Sequence, residues 1–453
     1  MRDNLPPNWE TWRLADTGVW SGGGTPSSSN ESFWDGDIPW VSPKDMKAHR
    51  ITTSQDKITQ SAVDNSAAKL IPAGSVLFVT RSGILAHSFP VATTTVTVTV
   101  NQDLKVITPV EVIDAEYLAW ALRASERQIL NTCTKHGTTV HSVEMSALKE
   151  LKIPVGPHPE QRRIVAKIEE LFSELDKGVE NLITARDQLE LFRLTILHQA
   201  LVDPDGKAFP AITLKELIGE IGQGWSPKCD VNTPPKDGEW AIIKTTAVQP
   251  MAYLGHECKP LPDDLQPRPS IAIRDGDLLM TRKGPRPRTG VVCHVRKARP
   301  HSMLCDTVYR FRAREDLVLP EFLEIALNAP AVVQEINARK SGISESGISL
   351  NHGKLQSLLI PVPSSITEQA RIVQLVRERM SIVEHQLAII AEQLQRIESL
   401  RQAILKRAFS GQLVAQHPTD EPASALLERI RAEQQEGGGT KRRNNKNAKK
   451  EAA

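Results

Sequence analysis

The sequence predicts a mixed α/β protein made twice over: two globular domains, each followed by a long helix, with the helices paired as an antiparallel coiled coil under an internal pseudo-twofold repeat. Three observations predict it. The chain repeats itself, each repeat closes on a Pro-free amphipathic run, and strand and helix signals follow the same order in both halves.

The repeat is clearest at Ile153-Pro154-Val155 and Glu160-Gln161-Arg162-Arg163-Ile164-Val165, which return as Ile360-Pro361-Val362 and Glu368-Gln369-Ala370-Arg371-Ile372-Val373. Upstream, Ser142-Val143 returns as Ser349-Leu350, and Tyr117-Leu118 with Ala121-Leu122 as Phe322-Leu323 with Ala326-Leu327. Thr80-Arg81-Ser82-Gly83 is matched to Thr281-Arg282-Lys283-Gly284. In chain order the offsets are 201, 205, 207 and 208, a slow drift expected of a duplicated unit with small insertions and far too long a period for a solenoid.

Each copy ends in a helix. In the first, Val165, Ile168, Phe172, Leu175, Val179, Leu182, Leu189 and Ile196 recur at spacings of three and four or their sum, seven. In the second, Val373, Val376, Met380, Val383, Leu387, Ile390, Leu394, Ile397 and Ile404 do the same. So sustained and narrow a seam predicts a coiled coil; the alternative is two amphipathic helices packed on separate cores. Antiparallel pairing would put the domains at opposite ends of a rod and fix the distance between two DNA half-sites. His158-Pro159-Glu160 and Ile366-Thr367-Glu368 read as starts, while Ser410-Gly411 and Asp203-Pro204-Asp205-Gly206 read as stops.

The globular halves carry strand signals at Ser75–Thr80, Ala92–Val100, Lys105–Thr108, Asp277–Met280, Gly290–Val295 and Thr307–Arg312. Helical stretches fall at Ala115–Asn131 and Pro320–Asn337. The expected boundaries are domain one at 1–157, its helix at 158–204, domain two at 205–363 and its helix at 364–411. A C-terminal helical segment follows at 412–435, with its helix at Ala423–Glu433, then a disordered basic tail at 436–453.

Net charge is +2, and six Lys/Arg against Glu451 in 441–453 leave the other 440 residues net negative. Any case for nucleic acid therefore rests on local clusters. The five cysteines include no Cys-x-x-Cys pair, so neither a disulfide framework nor a zinc site is expected, and a cytoplasmic setting is. No apolar leader precedes Trp12, and no run is long enough to span a bilayer, so no membrane partner is expected.

Catalytic signatures are missing. The sequence holds no Gly-x-x-x-x-Gly-Lys-Ser/Thr loop and no His-Glu-x-x-His. Gly22-Gly23-Gly24-Thr25-Pro26 reads as a flexible loop, and Asp263-Asp264 as a solvated Pro-rich turn. The expectation is no catalytic residue and no metal.

The basic residues placed to meet DNA lie around the repeated Thr-Arg block: Thr80, Arg81 and Ser82 in the first half, and Thr281, Arg282, Lys283, Arg286 and Arg288 in the second. From Arg282 to Arg299 the chain contains seven cations and no acid, and Gly284, Pro285 and Pro287 make its first part a loop. Such a loop can bind phosphates and place guanidinium groups on guanine edges; the alternative is a solvated surface loop. Lys44 and Lys244 follow the matching segments Ile38-Pro39-Trp40-Val41 and Trp240-Ala241-Ile242-Ile243 and join the candidates. Lys135, His136 and His141 read as a surface turn.

Taken together, these features resemble the DNA-specificity subunit of type I restriction–modification systems. The resemblance is carried by Leu5-Pro6-Pro7-Asn8-Trp9 and Gly23-Gly24-Thr25-Pro26-Ser27, then Phe33-Trp34-Asp35-Gly36-Asp37-Ile38-Pro39-Trp40-Val41. It is carried further by the doubled Ile-Pro-Val…Glu-Gln-x-Arg-Ile-Val, by Leu405-Lys406-Arg407-Ala408-Phe409-Ser410-Gly411-Gln412-Leu413, and by Glu421-Pro422-Ala423-Ser424-Ala425-Leu426. The second domain departs in lacking a Gly-Gly-Thr-Pro opening. The resemblance implies a non-catalytic subunit. Two target recognition domains would each read half of a bipartite sequence on double-stranded DNA, and the helices would dock two methyltransferase subunits and, through them, restriction subunits. S-adenosylmethionine, ATP and magnesium would then sit on the partners. A lone nuclease or methyltransferase, a protein-only coiled-coil adaptor, and a specificity subunit working without restriction subunits are the competing readings.

Overall fold

The computed structural model describes residues 5–425, apart from 136, 138, 139, 231, 232 and 343, together with 428 and 429. The expected roles of His136 and of the tail at 436–453 lie outside these residues, as does most of the Ala423–Glu433 helix, of which 423–425, 428 and 429 are helical. The chain forms two compact units, Met1–Glu180 with Leu394–Ala453, and Asn181–Gln393.

In the first unit, strand Val76–Val79 is buried at every residue, so its apolar run is continuous where a half-exposed strand would alternate. It lies third in a five-stranded sheet ordered Gly18–Gly22, Leu104–Pro109, Val76–Val79, Val91–Thr94 and Arg50–Ile51. Helix Ala115–Ala124 packs on this sheet through Leu118, Ala119 and Leu122. A second sheet pairs Trp34–Val41 antiparallel with Asp56–Ile58 and parallel with Thr99–Val100. Strand Glu10–Arg13 pairs with Lys152–Val155, just before the first long helix.

The second unit repeats this plan. Its sheet runs Gly222–Gln223, Val308–Phe311, Leu278–Thr281 and Val292–His294, and Ala241–Ile243 pairs antiparallel with Cys258–Pro260 and parallel with Ser302–Met303. Ala211–Thr213 pairs with Leu359–Pro361 ahead of the second long helix.

Three expected elements are broken. The Ala92–Val100 strand becomes Val91–Thr94 and Thr99–Val100, because the alternating run leaves one sheet and enters the other. The Ala115–Asn131 helix divides at Ser125, whose hydroxyl donates to Ala121 O. The Pro320–Asn337 helix divides at Ala329, extended at φ −70°, ψ 141°, because a residue before proline is excluded from the helical region and Pro330 starts a new helix.

The long helices are His158–Gln199 and Ile366–Ala408. In the first unit, Ile164, Val165 and Ile168 share a core with Leu405 and Ala408, and Arg401 pairs with Asp176. In the second, Ile196 and Leu197 share a core with Ile372, Val376, Met380 and Val383, and Arg379 Nη1 donates to Gln199 Oε1 at 2.9 Å. In both units the early turns of one helix meet the late turns of the other, which is antiparallel pairing. Gly411 follows the second helix at φ +71°, the left-handed position that a C-terminal glycine serves.

The repeated Glu-Gln has a structural purpose. Gln161 is fully buried; its Nε2 donates to Gly156 O at 2.9 Å and Val112 O at 3.2 Å, and its Oε1 accepts from Asp114 N at 2.9 Å. Gln369, also fully buried, donates to Pro363 O at 2.9 Å and Leu317 O at 3.0 Å and accepts from Leu319 N at 2.8 Å. Each glutamine thus clamps the first turn of its long helix to two loops of the domain before it. The neighbouring glutamates differ. Glu160 is buried and accepts from Trp9 Nε1 and Gln416 Nε2, whereas Glu368 pairs with Arg371 at the surface. Burial pushes the Glu160 carboxyl up from its ordinary value. The strand of chain after the second helix closes this site: Asp420 pairs with Arg163 at 2.6 Å, and Ala423 N donates to Asn8 O.

Candidate nucleic-acid interface

Backbone pairing aligns the two domains residue by residue. In the first, Lys105 pairs with Gly22 on one side and Phe78 on the other. In the second, Tyr309 pairs with Gln223 and Met280. Phe78 therefore corresponds to Met280, an offset of 202. Continuing outward, Thr80 corresponds to Arg282 and Arg81 to Lys283. Hydrogen bonds agree: Thr80 N donates to Asp103 O at 2.7 Å, and Arg282 N to Thr307 O at 2.8 Å. Arg81 pairs with Ser142, and Lys283 with Ser349. The Thr-Arg-x-Gly match is thus displaced by one residue from the structural equivalence, and the counterpart of Arg81 is Lys283.

The Gly-Gly-Thr-Pro opening also has a counterpart. Gly24 N donates to Val100 O, and Trp225 N to Leu304 O, both at 3.0 Å. A Cβ on Gly23 would lie 1.7 Å from Val100 O, and one on Gly224 2.0 Å from Leu304 O, so both positions need glycine for a close backbone approach. Gly224-Trp225-Ser226-Pro227 therefore stands where Gly23-Gly24-Thr25-Pro26 stands. Thr25 Oγ1 donates to Gln102 Oε1, and Ser226 Oγ donates to Asp306 Oδ1.

These contacts gather the same four segments at one corner of each domain: the opening turn, the turn at 102 or 306, and the paired strands carrying Arg81 with Ser142 or Lys283 with Ser349. Arg81 and Lys283 are exposed, and among the described residues neither side chain has a hydrogen bond or ion pair. Ser82 is partly exposed, and its hydroxyl accepts from Ile84 N.

The other expected residues are held differently. Thr80 and Thr281 are buried; Thr80 donates to Asp103 O, and Thr281 donates to Arg288 O and accepts from Val291 N, so both hold the corner from inside. Arg282 Nε donates to Asp306 O, and its guanidinium lies 5.4 Å from the Tyr309 ring centre. Arg288 spends its guanidinium on Gln249 Oε1 and the carbonyls of Thr245 and Val248. Arg286 pairs with Glu345, and Lys44 with Asp56 at 2.7 Å. Lys244 is half-buried, with its backbone N–H on Glu257 O. Further along the cation run, Arg296 pairs with the buried Glu324, and Arg299 donates to the carbonyls of Glu239 and Lys236. The run contains no acid, but distant segments supply its partners. Thr25, Gln102, Asp306 and Ser226 were missed in the sequence; the Thr-Pro and Ser-Pro turns were the available signal.

A second charged group ties domain one to the first long helix. Glu116 accepts from His49, Arg50 and Thr93, and Arg50 also pairs with Glu169. Burial opposes the charge of Glu116, but the bonds from His49, Arg50 and Thr93 outweigh it and hold the carboxyl down at about 2. The ligand atoms of His49, Glu116 and Glu169 lie within 4.8 Å of one another. Arg50 bridges the two carboxylates, so the charge a cation would balance is already matched by a guanidinium.

Residues 6–185 match the model of the type I restriction modification DNA specificity domain. Residues 6–185 thus carry this specificity domain. One relative, the type I restriction enzyme EcoR124I/EcoR124II specificity subunit of Escherichia coli, is 40% identical over 190 residues, which are 41% of this chain and 46% of that protein. The chain thus spans less than half of that relative's length. The EcoKI specificity subunit of Escherichia coli strain K12 is 26% identical over 358 residues, 74% of this chain and 75% of that protein. Similarity to that specificity subunit thus extends over most of the chain. A chain from a structural study of complex assembly and conformational transition of the type I R-M system superposes with a TM-score of 0.70 at 22% identity, covering 90% of this chain and 99% of that one. The HsdS subunit from Thermoanaerobacter tengcongensis gives 0.53 at 22% identity over 90% and 98%. No helix among the described residues is long and apolar enough to cross a membrane.

Proposed function

We propose that this chain is the DNA sequence-specificity subunit of a type I restriction–modification complex in the cytoplasm. Each domain reads one half of a bipartite duplex target. The paired helices set the gap between the halves and dock two methyltransferase subunits, through which restriction subunits join. The chain itself does no chemistry, and S-adenosylmethionine, ATP and magnesium belong to the partners.

One observation carries this reading: two corners of the same construction, one in each compact unit, each present an exposed cation, Arg81 or Lys283, that has no partner among the described residues and lies beside small hydroxyl side chains. Cations of this kind bind phosphate, and short polar groups on a rigid sheet corner reach base edges. A protein-only adaptor would have no use for a duplicated corner.

The test is co-production with the cognate methyltransferase subunit in a methylation-free host, followed by genome-wide mapping of modified adenines. A split motif with a fixed gap, absent without this chain, is expected. A stable complex that leaves the genome unmodified would overturn the reading in favour of an adaptor.

A further inference from the structure

The two corners superpose in construction but differ at one outward position in the hydrogen bond they offer. Gln102 is exposed, and its Oε1 is taken by Thr25 Oγ1. Among the described residues its amide nitrogen has no partner, so it presents donors and keeps a second lone pair on the oxygen. Asp306 is partly exposed, and its Oδ1 is taken by Ser226 Oγ. Its second oxygen has no hydrogen-bond partner among the described residues, so it presents only an acceptor. The same scaffold holds both residues: a hydroxyl of the opening turn orients each side chain, and the backbone of the next residue accepts from Thr80 N or Arg282 N.

A carboxylate facing DNA is repelled by phosphate, so it is favourable there only where a base-edge donor meets it and a cation offsets the field. Arg282 supplies that offset, with its Nε on the carbonyl of Asp306 itself, and the exposed Lys283 follows it. Among base edges in the major groove, the cytosine N4 amino group is the usual partner of a carboxylate, and adenine N6/N7 the bidentate partner of a glutamine amide.

Resting on the reading of the chain as a DNA-specificity subunit, we propose that Gln102 and Asp306 are the equivalent base-discriminating positions of the two domains. Gln102 reads an adenine in one half of the target, and Asp306 a cytosine in the other. Arg81 and Lys283 hold the adjoining phosphates and carry no sequence information.

The test uses the full chain with its methyltransferase partner, comparing the wild type with Gln102→Glu and Asp306→Asn by genome-wide methylation mapping. Each variant is expected to relax or change one base in one half of the motif, with discrimination falling roughly tenfold or more, and to leave the other half intact. Unchanged motifs in both variants, with assembly intact, would overturn the proposal while leaving the specificity function standing. Absence of any split motif in the wild type would instead overturn the function. A second measurement needs no variant: wild-type complex is bound to target duplexes whose specified cytosines lack the 4-amino group, one at a time. A roughly tenfold loss at one cytosine, not deepened by Asp306→Asn, is expected. If no cytosine shows such a loss, or Asp306→Asn deepens it, the assignment of Asp306 is overturned.

Discussion

Replacing Gln161 by leucine should destabilise the first unit alone, and replacing Gln369 by leucine the second alone. Leucine nearly conserves the volume, so the cavity contribution is small and the loss is polar. Each substitution deletes three hydrogen bonds of 2.8–3.2 Å and leaves one N–H and two carbonyls at a buried helix start without their partner. With about 1 kcal/mol for each net bond, and a further penalty for any group that water cannot reach, the expected cost is about 4 kcal/mol. Urea unfolding followed by hydrogen exchange would assign the loss to residues of one unit or the other. Since the units are separate cores, a single two-state fit does not suffice. A cost below about 1 kcal/mol would refute the clamp, because it would mean water or a neighbour replaces the glutamine at no penalty. An equal loss in both units from either substitution would refute the division of labour between the two glutamines.

Arg81→Ala and Lys283→Ala should each weaken DNA binding by the assembled complex without altering the recognised bases, and each should lower the salt dependence by about one phosphate contact; binding isotherms at several salt concentrations would check this, and a changed motif would contradict it. Glu116 has its carboxyl held at about 2 against an ordinary 4.5, so its contribution is complete above pH 4.5 and is lost as pH falls toward 2. Glu116→Gln should therefore cost the first unit on the order of 3 kcal/mol at neutral pH and blunt its acid sensitivity, read from denaturant midpoints across pH. Glu160 has the opposite sign: its raised pKa means that stability is greatest below the ordinary carboxylate value and declines as pH rises through the raised one. Glu160→Gln should remove that decline, and an unchanged pH profile would show that the carboxylate is not the source.

The repeat, the two long helices and the order of strands were legible in the sequence, because periodicity and local similarity survive in a linear reading. Val165, Ile168 and Phe172 in one copy and Val373, Val376 and Met380 in the other announce the same helix face. Corner residues were legible only in part. Arg81 and Lys283 are exposed cations, as basic residues in a loop suggest, but similarity alone aligned Arg81 with Arg282. Hydrogen-bond register decided otherwise, because pairing across a sheet depends on the partner strand and not on the neighbours in sequence. Arg286, Arg288, Arg296 and Arg299 read as a free cationic run, yet carbonyls and carboxylates from segments far along the chain occupy them. The sequence by itself determined the duplicated plan, since that rests on patterns repeated within each copy. Only the tertiary structure decided which cations stay free, which threonines turn inward and which two residues stand at equivalent corners, since each depends on contacts between residues distant in the chain.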